Sequence, residues 1–274
     1  IKQLGGKVRR SSDRPSLISD VIKGISARDA RSPRRLPLWD LFLVLDSLRE
    51  LPFEPLSLAS RKFATLKAVF LISLASARRS SEVHGLSGLA ADIALESDGS
   101  VSLRFLSDFR AKNQRSSESS PLIRIPALTG ILAPDDPDRS LCPVRALRRY
   151  LNLTRQTRAP GQRRLFISFN PNYKRDVSVS SVSRWLTTTV RMAYERAQKN
   201  APSCRAHELR ALATSLAWDH SVPLHQVLES AFWKSENTFI NFYLRDSARL
   251  RQDGSHGIGS IVSSQRVISG SSLQ

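Results

Sequence analysis

Residues 205–220 read RAHELRALATSLAWDH, and after a break at Ser221 to Pro223 the chain runs through Val227 and Leu228 to SENTFINFYLRD at 235–246. In the first block His207 and Arg210 stand three apart, which on a helix sets both side chains on one face, one turn apart. Ser221 and Pro223 fit an N-cap and the first turn of a second helix. In the third block Phe239, Phe242 and Tyr243 recur at i, i+3 and i+4, and Trp233 lies ten residues before Tyr243. The aromatic spacing fits a buried stripe as readily as a reactive phenol. Arg210 is more informative. Beside a run of Ala and Leu suited to a core, a guanidinium is costly to bury unless an anion meets it, and phosphate is the obvious anion.

Charge points the same way. The 274 residues include 42 Lys and Arg against 24 Asp and Glu, a formal net charge of +18, with 41% hydrophobic and 24% charged residues. The length can bury a sizeable core, and the excess charge suits a polyanionic partner. Nucleic acid is favoured over membrane, because the basic residues are mostly Arg spread along the chain and no lipid-anchor motif accompanies them. The longest apolar run, near Ala68 to Ala77, is interrupted by serines and short of the ~20 residues of a membrane span. Charge alone leaves passive nucleic-acid-binding proteins open. Cys142 and Cys204 are too few for a disulfide scaffold, and no second ligand pair joins Cys204 and His207, so no metal site is expected. No signal peptide is evident. The chain starts at Ile1 and its single methionine is Met192, which suggests a fragment of a longer product.

Working outward, residues 1–35 carry ten Lys or Arg against three Asp, with one amphipathic stripe at Leu17, Val21 and Ile25. The SPRRLP that follows reads as a linker, placing a domain boundary between residues 37 and 38. From Leu38 the pattern is helical, with Leu38, Leu41, Val44, Leu45 and Leu48 on one side. A long apolar helix begins near Arg61 and passes through Phe70 and Leu74, and its end turns abruptly into Arg78, Arg79, Ser80, Ser81 and Glu82. The middle reads as a sheet: strands at 93–95 and 101–105 flank the turn signal Asp98-Gly99, and a third at 122–128 follows a polar loop containing Lys112. A helix opening at Pro143 points Val144, Leu147 and Leu151 inward. Eight arginines and no acid lie from Arg139 to Arg164. Arg145, Arg148 and Arg149 therefore form a candidate phosphate-binding face. A short buried piece at 165–168 precedes a helix whose Val182, Trp185, Leu186, Val190 and Ala193 face the core. The Ser- and Gly-rich tail at 251–274 is expected to be flexible.

Five short motifs in this order resemble a tyrosine recombinase catalytic domain, of the phage-integrase-like kind, and specifically its DIRS-like retrotransposon branch. ARRSSEV resembles the first arginine box, selecting Arg79 paired with Glu82. HELR is similar to the H-x-x-R box, and Trp233 with Tyr243 matches the branch that carries Trp where others have a second His. LCPVRALRRYL resembles a stretch common in DIRS-like proteins. The resemblance covers about Leu38 to Arg249 and implies a mainly α, α+β fold with a small three-stranded antiparallel sheet. It implies a catalytic domain at 38–250, with 1–37 the end of a core-binding domain and its linker. It also implies Arg79, Lys112, His207, Arg210, Trp233 and Tyr243 as catalytic, Glu82 as supporting, and no cofactor or metal. Double-stranded DNA is the implied partner, bound by a tetramer, and the nucleus the implied location. A type IB topoisomerase uses similar residues, but the DIRS-like stretch argues against it. A catalytically inactive DNA-binding remnant is the alternative from another class.

The residue types suit this chemistry. A phenol has a free pKa of ~10, so its attack on a phosphodiester needs a base or a strong positive field. Two guanidinium forks on the non-bridging oxygens supply that field. His207 suits proton transfer near neutrality, or a hydrogen bond at a helix start. Trp233 can donate one N–H or simply pack. Lys112, in the loop between the second and third strands, resembles the family's general acid, and loop-tip lysines are otherwise solvated. Tyr150, Tyr173 and Tyr194 follow no H-x-x-R box and are set aside as nucleophiles.

Overall fold

A computed structural model describes residues 39–111, 122–219 and 222–231. The expectations for residues 1–37, Lys112, Ser221, Trp233, Tyr243 and the tail from 251 lie outside the described residues.

Helix α1 (Leu41–Leu48) starts later than its apolar stripe suggests. The Asp40 carboxylate caps it, accepting from the N–H of Phe42 at 2.8 Å and of Leu43 at 3.4 Å. Helix α2 (Arg61–Ser76) is the centre of the fold, with every residue from Ala64 to Ser76 buried. A helix buried on every side lies inside the protein, and the later helices and the sheet described below pack around this one. It ends at Ala77, which adopts the left-handed conformation (φ 49°, ψ 32°). For a residue with a Cβ that geometry costs ~1 kcal/mol. The turn aims Arg78 and Arg79 away from the axis of α2, so that Arg79 becomes the N-cap of the short helix α3 (Ser80–Gly85).

Strands β1 (Ile93–Leu95), β2 (Val101–Leu103) and β3 (Ile123–Ile125) form an antiparallel sheet in the order β1-β2-β3. Ile93 pairs with Leu103, which in turn pairs with Ile123. Gly99 takes φ +82° in the expected hairpin turn, and the Asp98 carboxylate accepts from the Ser100 N–H at 3.0 Å. β2 ends at Leu103 rather than Phe105 because the chain changes partner. The Ser87 N–H donates to the Arg104 carbonyl (2.9 Å), the Leu106 N–H donates to the Gly85 carbonyl (3.0 Å), and Phe105 bridges to Leu86. The sheet is thus tied to the end of α3. Gly85 is needed there, since a Cβ would sit 2.5 Å from the Phe109 ring.

Helix α4 (Pro143–Thr154) opens with proline at its first position and buries Val144, Ala146, Leu147 and Tyr150. The Tyr150 hydroxyl donates to the Leu165 carbonyl (3.0 Å) and accepts from the Ile167 N–H (2.7 Å), fastening the buried 165–167 segment to α4. Helix α5 (Val179–Arg196) is capped by Ser178 and buries the five residues its pattern indicates. Helices α6 (Glu208–Asp219) and α7 (Leu224–Ser230) follow, with Pro223 immediately before α7 rather than within its first turn. The fold is mainly helical with one small antiparallel sheet, as the sequence implies. No helix among the described residues is long and apolar enough to cross a membrane.

Candidate active site

Arg79, Glu82 and Arg210 meet. Glu82 sits three residues into α3, and its Oε2 accepts from the Arg79 backbone N–H at 3.1 Å, as a capping-box glutamate does. Its Oε1 accepts from Arg79 Nη1 at 2.8 Å. From α6, Arg210 Nη1 donates to Glu82 Oε2 at 3.2 Å, while its Nη2 donates to the Ala231 carbonyl at 2.5 Å. The second contact pins the end of α7, two residues before Trp233, to the cluster. Arg78 adds a third guanidinium, its Nη1 4.0 Å from Glu82 Oε2.

Three guanidinium groups thus gather around one carboxylate. The Arg210 side chain is 1% exposed, Glu82 2% and Arg78 4%, whereas Arg79 is 26% exposed and forms the open edge. Burial pushes the Arg78 guanidinium well below its usual pKa; Glu82 opposes the shift, and Arg210 and Arg79 add to it. A guanidinium at an accessible edge is a ready partner for an anion. The planar Arg79 guanidinium at the open edge matches the oxygens of a phosphate, while both terminal nitrogens of Arg210 are engaged by Glu82 and the Ala231 carbonyl.

His207 is exposed and occupies the turn before α6, so it does not share a helical face with the buried Arg210 as the spacing suggests. Glu208 explains why the helix starts one residue later. Its Oε2 accepts from the Arg205 N–H and from Trp39 Nε1, both at 2.9 Å, and the Glu208 N–H donates to the Arg205 carbonyl at 3.0 Å. Sequence reasoning gives no role to Glu208 or Arg78. The signals were present: a glutamate three residues after a turn for the first, and a second arginine in the box for the other.

Other contacts hold α3 in place. His84 Nε2 meets the Val177 carbonyl at 2.7 Å, and Ser183 Oγ donates to Ser80 Oγ at 3.0 Å, linking α3 to the start of α5. Burial lowers the His84 pKa, with the Val177 hydrogen bond opposing. The three tyrosines set aside all have fold contacts: Tyr150 as above, Tyr194 accepting from the Asp40 N–H at 2.8 Å, and Tyr173 exposed near the Asp176 carbonyl. Burial raises the Tyr150 pKa.

The α4 arginines divide. Arg145 forks onto Glu54, with Nη1 to Oε1 at 2.5 Å and Nη2 to Oε2 at 2.9 Å, and Arg149 Nη2 donates to the Ser57 carbonyl at 2.6 Å. Arg148 is exposed. No group of three or more His, Cys, Asp or Glu able to hold a metal occurs among the described residues.

This fold is that of the tyrosine recombinase catalytic domain. The chain superposes on a structure of the XerH site-specific recombinase bound to difH substrate, a pre-cleavage complex, with a TM-score of 0.52 and 17% identity. The match covers 80% of this chain and 53% of that one. A post-cleavage complex of XerH on palindromic difH gives a TM-score of 0.51 and 17% identity, over 80% of this chain and 52% of that one. The chain therefore spans about half the length of these structures. No family model matches the sequence, and no curated protein matches it.

Proposed function

We propose that this chain is the catalytic part of a DNA recombinase or integrase that breaks and rejoins strands through a 3′-phosphotyrosyl intermediate. The observation that carries the reading is the convergence of Arg79 and Arg210 on Glu82, with Arg79 at an open edge, in a fold of this class. The phenol oxygen of Tyr243 attacks phosphorus, a P–O bond to tyrosine forms, and the bond to the 5′ oxygen breaks. Arg79 and Arg210 hold the non-bridging oxygens and stabilise the charge that builds on them, while Glu82 orients both guanidinium groups. Lys112 protonates the leaving 5′ oxygen, His207 moves a proton at the phenol or phosphate, and Trp233 donates its indole N–H. Rejoining is the reverse, with a 5′ hydroxyl attacking the ester. The ester conserves the bond energy, so no nucleotide is consumed, and the arginines neutralise charge where other phosphoryl-transfer sites use metal ions.

The DIRS-like motifs extend the proposal to a retrotransposon enzyme that integrates a circular DNA copy in the nucleus, acting as a tetramer on double-stranded DNA. Substituting Arg210 by lysine tests the role of the cluster. Arg210→Lys keeps the charge and loses the fork, so strand cleavage should fall ~100-fold or more while DNA affinity changes little. Equal loss of binding and cleavage in a folded protein would make Arg210 a structural residue and favour the non-catalytic DNA-binding reading.

A further inference from the structure

Helix α3 has six residues, too few to be stable by its own hydrogen bonds, so its neighbours must fix both its direction and its rotation. It carries Glu82, the carboxylate on which Arg79 and Arg210 converge. Its last two carbonyls are engaged, that of His84 by Arg164 Nη1 at 3.2 Å and that of Gly85 by the Leu106 N–H at 3.0 Å. Those bonds anchor the exit of the helix.

Its rotation is set elsewhere. Ser80 and His84 stand four residues apart and share one face of α3. Both are bonded to the start of α5. Ser183 Oγ donates to Ser80 Oγ at 3.0 Å, and His84 Nε2 lies 2.7 Å from the carbonyl of Val177, two residues before α5 begins. A carbonyl can only accept, so the ring nitrogen is the donor. In a helix of 3.6 residues per turn Glu82 lies ~200° around the axis from Ser80 and from His84, on the opposite face. Two holds one turn apart on one face therefore fix the direction in which the carboxylate leaves the other. Arg79 follows it, because the same carboxylate takes both its backbone N–H and its Nη1.

We infer that His84 is a positioning residue for the Arg79, Glu82 and Arg210 cluster, acting through the rotation of α3, with Ser80 as the second hold. The inference rests on the DNA-recombinase reading and adds to it a residue that acts on the reacting phosphate through Glu82 rather than by touching it. Misplacing a group that holds the reacting atoms by ~1 Å can cost ~100-fold in rate, so a small rotation of α3 is enough to matter.

The experiment compares rate with affinity in the full chain. At saturating protein on a nicked duplex, His84→Leu should form the covalent protein–DNA adduct ~10- to 100-fold more slowly, with affinity for the duplex unchanged. Burial keeps the His84 pKa below its usual value, so near neutrality the ring is an uncharged donor. A glutamine amide is also an uncharged donor, of similar reach, and His84→Gln should recover most of the rate. His84→Asn, whose amide is one carbon shorter, should be as slow as His84→Leu and replaces it if the leucine variant does not fold by circular dichroism. An unchanged rate in His84→Leu, a His84→Gln as slow as His84→Asn, or a loss of affinity in step with rate would overturn the inference and leave the recombinase reading intact. No adduct from the unsubstituted chain would overturn both.

Discussion

Glu54 and Glu82 are both largely buried carboxylates that gather cations from separate elements, and they close their charge differently. Glu54 takes Lys67 Nζ from α2 at 2.5 Å and the Arg145 fork from α4, and the Arg145 side chain is 40% exposed, so water screens the excess charge. Lys67, fully buried, also donates to the Leu48 carbonyl at 2.7 Å. The hydrogen-bonding capacity of that cluster goes into joining α2, α4 and the chain after α1. Glu82 instead has three guanidinium groups around it, two of them buried, and the exposed one is at the mouth. One cluster is a clamp. The other keeps one guanidinium, that of Arg79, at an accessible edge.

Removing the carboxylates should separate the two most clearly. Glu82→Gln removes the buried carboxylate that Arg79 and Arg210 share, a loss of ~3 to 5 kcal/mol by urea denaturation. Phosphate ions should restore part of it by filling the open edge. Glu54→Gln should also destabilise, because Lys67 is left charged and buried, but phosphate at matched ionic strength should give it only the general salt effect. Identical responses to phosphate would break the distinction.

Alkali should act on the clamp through Lys67. Burial, opposed by Glu54, lowers the Lys67 pKa from 10.5 to about 8. Below pH 8 the lysine is charged in both the folded and unfolded chain. Between about 8 and 10.5 the unfolded chain holds a proton that the folded chain has released, so this group makes stability rise with pH, by at most ~1.4 kcal/mol per pH unit. Burial alone would raise the Glu54 carboxyl, but hydrogen bonds from Arg145 and Lys67 hold it below its usual value, so it stays ionised throughout this window. Subtracting the stability of Lys67→Met from that of the unsubstituted chain at each pH should give a difference that climbs from pH 8 to 9.5. A flat difference would mean Lys67 keeps an ordinary pKa.

Local chemistry made much of the fold legible. Pro143 marked the start of α4, Asp98-Gly99 the hairpin, and the period of Val182, Trp185, Leu186, Val190 and Ala193 the buried face of α5. Each signal lies within a few residues of what it specifies. Pairings across the chain were not legible: Arg145 meets Glu54 from 91 residues away, so nothing local marked it as a clamp residue. β2 was read two residues too long because Phe105 looks like strand but bridges to Leu86. His207 and Arg210 suit one helical face, yet the hydrogen bonds of Glu208 start the helix after the histidine. In the candidate site, Arg79, Glu82 and Arg210 are drawn together from the two boxes their motifs suggested, while Lys112, Trp233 and Tyr243 lie outside the described residues.

The central claim is a phosphodiester broken by Tyr243 with two arginines holding the phosphate, and covalent capture tests it most directly. The chain, extended upstream where necessary, is mixed with duplexes nicked so that cleavage releases a short 5′-hydroxyl fragment that diffuses away and blocks reversal. The expected result is a protein covalently bound to a DNA 3′ phosphate, formed equally well in the presence of chelator, with peptide mapping placing the DNA on the segment around Tyr243. Tyr243→Phe should fold and bind DNA normally and form no adduct, and Arg79→Ala should lower the yield more than Trp233→Ala does. An adduct that persists in Tyr243→Phe, or a chain that binds the DNA and never forms one, would contradict the assignment. Cleavage abolished by chelator would point to a metal-dependent nuclease.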